Sequence, residues 1–212
     1  MAEDSNLFCL VAVRHAERDK DNPDPDRSQN LTTSGKICCK LMSGRLQSLQ
    51  LRPELRFTST LERAVHTVYE IFCPDWPDAY GFLPSTQLES LDDLSRTEGL
   101  KELKRDVCRR RFGDDARPAM LMGKGRVQFL QWMKKGLCEI FRVAGGHARS
   151  TDHGSVCVSA VVHEWWLDFL ETICACSDSS HFFDGNDWPQ DFRLPTELIR
   201  PCGYSEAVVV DL

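Results

Sequence analysis

The sequence predicts a three-layer α/β sandwich: a mainly parallel central sheet covered by helices on both faces. Three observations predict it. Apolar runs of strand length recur at residues 7–13, 55–59 and 156–162, and segments of helical apolar spacing alternate with them. The runs at 7–13 and 156–162 are nearly unbroken rather than alternating, the pattern of strands covered on both faces. Finally, 212 residues with 42% apolar and 27% charged side chains can fill one such core. Neither an internal repeat nor a linker divides the chain, so residues 1–212 are expected to form a single domain.

The elements follow in order. After the first strand, residues 19–30 are rich in Asp, Asn and Pro and read as a loop. Thr32 or Thr33 is placed to cap the next helix, with Cys38, Leu41, Met42, Leu46 and Leu49 at helical spacing. The strand at 55–59 leads into a helix presenting Leu61, Ala64, Val65, Val68 and Phe72 on one face. Residues 75–122 carry little pattern beyond a polar helix at 98–111. Val127, Leu130, Met133, Leu137 and Ile140 mark a long amphipathic helix expected to stop near Gly145-Gly146. The strand at 156–162 precedes a helix rich in Trp and Leu, and residues 206–212 read as a closing strand.

Bulk properties narrow the function. A net charge of −6 is unfavourable for gripping nucleic-acid phosphates, and no nucleic-acid partner is expected. No apolar run reaches the roughly 20 residues of a membrane helix. The opening Met1-Ala2-Glu3-Asp4 is acidic where a secretory leader is basic, which leads to an expectation of a cytoplasmic protein with no membrane partner. The ten cysteines lack zinc-site spacing, so reduced thiols rather than disulfides or a metal centre are expected.

In open α/β sheets, ligands gather beyond the carboxyl ends of the strands. Arg14 and His15 end the first strand, Arg63 lies in the first turn after the second, and His163 follows the strand at 156–162. Any one of these alone reads as a polar strand end. Together they describe a cationic pocket for a dianion. Arginine holds phosphate oxygens bidentately and stays charged, and a neutral imidazole nitrogen can accept a phosphoryl group.

Arg14-His15-Ala16-Glu17-Arg18, followed by Leu31-Thr32-Thr33-Ser34-Gly35, resembles the opening signature of the histidine phosphatase superfamily, also called phosphoglycerate mutase-like. Phe57-Thr58-Ser59-Thr60-Leu61-Glu62-Arg63-Ala64-Val65-His66-Thr67 resembles its second block, and Val161-Val162-His163-Glu164 its last. Ala16 stands where glycine is commoner. The resemblance implies a phosphomonoester hydrolase with His15 as nucleophile, His163 as second catalytic histidine, and Arg14, Arg18, Arg63 and His163 holding phosphate. It also implies a general acid. Glu89, within Leu88-Glu89-Ser90-Leu91, is the first choice; Glu164 is the alternative, and Asp92 and Asp93 are further candidates. The implied chemistry calls for no cofactor and no metal. The implied partner is a phosphorylated small molecule or phosphoprotein. A phosphoglycerate mutase-type transferase and an inactive phosphate-binding relative remain alternatives.

Other features invite weaker readings. Gly123-Lys124-Gly125 lacks phosphate-loop spacing and reads as a helix entry. His147 and His153 precede a strand that spans roughly 23 Å at 3.3 Å per residue, which puts them at the far end of the sheet from His163. Trp132, Trp165 and Trp166 read as packing residues.

Overall fold

Leu7–Arg14 forms strand β1 in the middle of the sheet, and the chain then builds outward on both sides. The computed structural model describes residues 7–19, 30–73, 81–88, 126–151, 155–163, 166, 167, 170, 196–199 and 207–211. After β1 come α1 (Thr33–Ser48), β2 (Leu55–Ser59), α2 (Glu62–Phe72), β3 (Phe82–Ser85) and a 3-10 turn (Thr86–Leu88). Then follow α3 (Arg126–Thr151), β4 (Ser155–Val162), β5 (Thr196–Ile199) and β6 (Ala207–Asp211). Trp166, Leu167 and Leu170 are helical.

The strand order is β3-β2-β4-β1-β6-β5. β3, β2, β4 and β1 run parallel, whereas β6 pairs antiparallel with β1 and β5 antiparallel with β6. The sheet is therefore mainly parallel, as predicted, and the closing strand at its antiparallel end was also anticipated. β3 and β5 were not. β3 is a four-residue edge strand containing Pro84, a residue that weakens strand propensity and is tolerated mainly at edges.

Two apolar layers fix the sandwich. On one face Val11, Val13 and Val161 pack with Met42 and Leu46 of α1 and with Val68 and Ile71 of α2. On the other, Leu10, Phe57, Val158 and Ala160 pack under Met133, Leu137, Ile140 and Ala144 of α3, with Trp166. At Gly136 the helix comes so close to Trp166 that a Cβ would lie 2.6 Å from its Cη2. Glycine there lets the indole approach α3 closely, and Trp166 is 1% exposed.

Two local expectations are corrected. The buried face of α1 is Gly35, Cys39, Met42, Ser43 and Leu46, while Leu41 is 52% exposed. Small residues, not the largest apolar ones, let this helix approach the sheet. α3 also runs through Gly145-Gly146 to Thr151 rather than stopping there. Its apolar stripe continues across the glycines, with Ala144 before them and Ala148 after them buried. Such packing outweighs the roughly 1 kcal/mol of helix propensity lost per glycine.

Among the described residues no helix is long and apolar enough to cross a membrane. Cys9, Cys38, Cys39, Cys73, Cys138 and Cys157 are free thiols. Burial pushes the Cys39 thiol up to about 12, which makes it a packing residue rather than a nucleophile.

Candidate active site

β4 pairs in parallel with β1 and with β2, Arg14 opposite Val162 and Thr58 opposite Val161. The three strands therefore end side by side, and whatever follows them emerges at one edge of the sheet. The His15 N–H extends the β1–β4 ladder by donating to the Val162 carbonyl at 2.9 Å. His163 follows Val162 directly, so the two imidazoles meet with ring centroids 4.8 Å apart at 60°.

Arg63 arrives from β2. Ser59 ends that strand and accepts the Leu61 N–H at 3.3 Å, turning the chain into α2. Arg63 is 4% exposed in the first turn. Arg14 and Arg18 are half-buried on either side of His15. The structure thus brings together Arg14, His15, Arg18, Arg63 and His163. Glu89 and Glu164, like Asp92 and Asp93, lie outside the described residues. Leu88, which precedes Glu89, is fully buried at the end of the 3-10 turn that leaves the β3 strand end.

The hydrogen bonds of the histidines define their chemistry. His15 Nδ1 lies 2.8 Å from the Ala16 carbonyl oxygen, which can only accept, so Nδ1 carries the proton and donates. Nε2 is left with a lone pair. His163 is 3% exposed, and its Nε2 shares a 3.1 Å hydrogen bond with Ser59 Oγ. Burial lowers the pKa of His15 to about 3, helped by the positive charges of Arg63, Arg14 and Arg18 and opposed by the Ala16 hydrogen bond. Burial, then His15 and the same three arginines, hold His163 well below its ordinary range. Both imidazoles are neutral at pH 7 in a field of guanidinium charge. This arrangement attracts an oxyanion and keeps a nitrogen lone pair available beside it.

These shifts have a stability consequence. In the unfolded chain both histidines titrate near 6.5, so below that pH the unfolded state binds protons that the native state does not, down to about pH 3 in the case of His15. Their contribution is fully present above pH 6.5 and is lost as pH falls below it, toward about 3 for His15, by at most about 1.4 kcal/mol per pH unit for each histidine. Thermal melts from pH 7 to 4 are expected to fall less steeply for His15→Asn than for the wild type. Superimposable pH profiles would contradict this assignment.

Three neighbours of the site were not foreseen as such. Ser59 holds His163, and Thr67 accepts the Ala16 N–H at 2.9 Å. The Glu17 carboxylate is turned away to accept the Thr32 hydroxyl at 3.0 Å, where Thr32 is also the N-cap of α1. The sequence did contain a clue for Thr67, which lies four residues beyond Arg63 and hence on the same helical face. His147 bonds Glu54, just before β2, at 3.1 Å and so sits at the opposite end of the sheet, as expected. His153, Trp165 and Gly123-Lys124-Gly125 lie outside the described residues. Trp132 packs on Trp166 with centroids 5.6 Å apart.

No family model and no curated protein matches the sequence. Solved structures do match. A phosphoglycerate mutase from Bacillus anthracis str. Sterne is 17% identical, with 86% of this chain and 85% of that one covered and a TM-score of 0.52. A mycobacterial glucosyl-3-phosphoglycerate phosphatase solved with VO3 is 19% identical, with 82% and 85% covered and a TM-score of 0.51. A protein described as mycobacterial hydrolase 1 is 18% identical, with 83% and 85% covered and a TM-score of 0.52. Strand order, the two helical layers and these likenesses agree: the chain has the histidine phosphatase, or phosphoglycerate mutase-like, fold.

Proposed function

We propose that the protein is a phosphomonoester hydrolase working through a phosphohistidine on His15. The observation that carries this reading is the Nδ1–H donated to the Ala16 carbonyl, which leaves Nε2 unprotonated among three arginines and a second neutral histidine. In the first step Nε2 attacks phosphorus and the ester P–O bond breaks. Arg14, Arg18 and Arg63 hold the non-bridging oxygens, and His163 contacts the transferring group. A carboxylic acid, assigned to Glu89 with Glu164 as the alternative, gives its proton to the leaving oxygen. In the second step that carboxylate takes a proton from water, the water oxygen bonds to phosphorus as the P–N bond breaks, its electron pair returns to Nε2, and inorganic phosphate leaves with His15 restored. The arginines supply the positive charge this transfer needs, so the reading calls on no metal. The substrate is a phosphorylated small molecule or phosphoprotein, met in the cytoplasm.

The likeness to a phosphoglycerate mutase favours a second reading, transfer between two positions of one substrate. Against it stands the composition of the segment 19–30. The residues that flank it are held together by the Arg18–Leu31 bridge and by the Asp19 N–H donated to Asn30 O at 2.9 Å. The segment carries four Asp against one Lys and one Arg, an acidic balance unfavourable for a substrate with a second anion.

The test is turnover of p-nitrophenyl phosphate with acid-sensitive phosphoprotein trapped during the reaction, alongside isomer formation from a phosphoglycerate. Phosphate release with little isomer is expected. Isomer formation dominating over release would select the mutase. Oxyanion binding with no turnover of any phosphomonoester tried would select a binding protein.

A further inference from the structure

Thr67 is fully buried on the face of α2 that packs against the sheet, where a valine would fill the same space. Its hydroxyl nonetheless makes two hydrogen bonds of fixed direction. It donates its single proton to the Arg63 carbonyl one turn earlier, at 2.7 Å. It can therefore only accept from the Ala16 N–H, at 2.9 Å. The first bond is a common habit of threonine in helices and by itself says nothing about function. The second joins residues 51 positions apart and ends one residue after His15.

The chain of bonds continues into the imidazole. The Ala16 carbonyl accepts the His15 Nδ1–H at 2.8 Å. The whole relay runs from Nδ1–H of His15 to the Ala16 carbonyl, and from the Ala16 N–H through the Thr67 hydroxyl to the Arg63 carbonyl. Ala16 is itself 0% exposed, so no water competes for its N–H. Donation to Arg63 also polarises the hydroxyl oxygen and makes it a better acceptor.

We propose that Thr67 is a positioning residue: it pins the Ala16 backbone so that its carbonyl keeps His15 in the Nδ1–H tautomer, and it ties that setting to the turn of α2 that carries Arg63. The kinetic part of this proposal rests on the reading of His15 as phosphoryl acceptor. The tautomer part does not. Without the hydroxyl, the buried Ala16 N–H has no acceptor and the backbone shifts to find one. The Ala16 carbonyl then releases Nδ1, and the two tautomers of a neutral imidazole become comparable. A fraction of His15 would carry its proton on Nε2, where it cannot attack phosphorus.

The experiment compares wild type, Thr67→Val and Thr67→Ser in two ways. The first is the His15 tautomer, read from ¹⁵N shifts of the labelled imidazole between pH 6 and 8. The second is steady-state turnover of p-nitrophenyl phosphate. Wild type is expected to show a single Nδ1–H tautomer. Thr67→Val is expected to show a mixture and to lose about 10- to 100-fold in kcat with KM little changed, the scale set by a small misplacement of a reacting group. Thr67→Ser keeps the hydroxyl and restores both. Should valine prevent folding, Thr67→Ala against Thr67→Ser makes the same comparison.

The proposal is overturned if wild-type His15 carries its proton on Nε2. It is equally overturned if Thr67→Val keeps wild-type tautomer and kcat, or if serine falls as far as valine, since packing would then be the whole role. If wild type turns over no phosphomonoester, the hydrolase reading fails, while the tautomer comparison still decides the role of Thr67.

Discussion

Changing His15 to alanine is expected to lower phosphate release from p-nitrophenyl phosphate by as much as roughly a million-fold, the scale seen when a covalent nucleophile is removed from a preorganised site. Among the described residues no neighbouring group is placed to replace it. His163, 4.8 Å away between ring centroids, is also neutral, but its Nε2 is engaged with Ser59 Oγ. The fold should survive. The His15 backbone N–H still reaches the Val162 carbonyl, and the lost side-chain bond is a local one to Ala16. Circular dichroism and thermal melting at pH 7 are expected to match wild type within a few degrees. Binding of vanadate or inorganic phosphate, measured by calorimetry, should persist because Arg14, Arg18 and Arg63 remain. Near-normal turnover by the alanine variant would remove His15 from the mechanism altogether.

What the sequence made legible was the part governed by strong local rules. Unbroken apolar runs marked β1 and β4, and parallel pairing of those strands with β2 was enough to bring Arg14, His15, Arg63 and His163 to one edge. Less legible were features decided by tertiary contact. The face of α1 turned on Gly35 and Ser43, whose size matters only once the sheet is there. Helix α3 continued through two glycines because Ala144 and Ala148 had a surface to bury against. β3, with Pro84, has strand geometry because β2 offers it an edge, not because its own residues demand it. In the site, the hydroxyls of Ser59 and Thr67 were invisible as functional neighbours because their partners are 104 and 51 residues away. The carboxylate that the proposed mechanism requires as acid carries no comparable local mark, and Glu89 and Glu164 stand as candidates on resemblance alone.

Gly35→Ala is expected to be the most damaging single-methyl change in the helical layers, because the space it needs is occupied by backbone. A Cβ at position 35 would lie 2.5 Å from the Glu17 carbonyl oxygen, 3.1 Å from Glu17 N and 3.3 Å from Glu17 C. A side chain could rotate away, but this segment is held on both sides. The Glu17 carbonyl accepts the Thr32 N–H at 3.0 Å, the Thr32 hydroxyl accepts the Gly35 N–H at 2.9 Å, and Ala16 is tied to Thr67. Either α1 lifts from the sheet or the turn after His15 moves. Overpacking of this kind costs about 3 kcal/mol at its upper end, which in a chain of this size lowers Tm by roughly 6–12 °C. Turnover should fall with it, since the displaced turn carries the carbonyl that sets the His15 tautomer. Gly44 supplies the control on the same helix. Nothing lies within 4 Å of a Cβ there, and the residue is exposed. Gly44→Ala should therefore raise stability by up to about 1 kcal/mol through helix propensity. Opposite signs at the two glycines, read as Tm shifts under identical conditions, would show that close approach to Glu17, rather than helix propensity, is what position 35 requires. A neutral or stabilising Gly35→Ala would mean that α1 and the His15 turn are not held against each other.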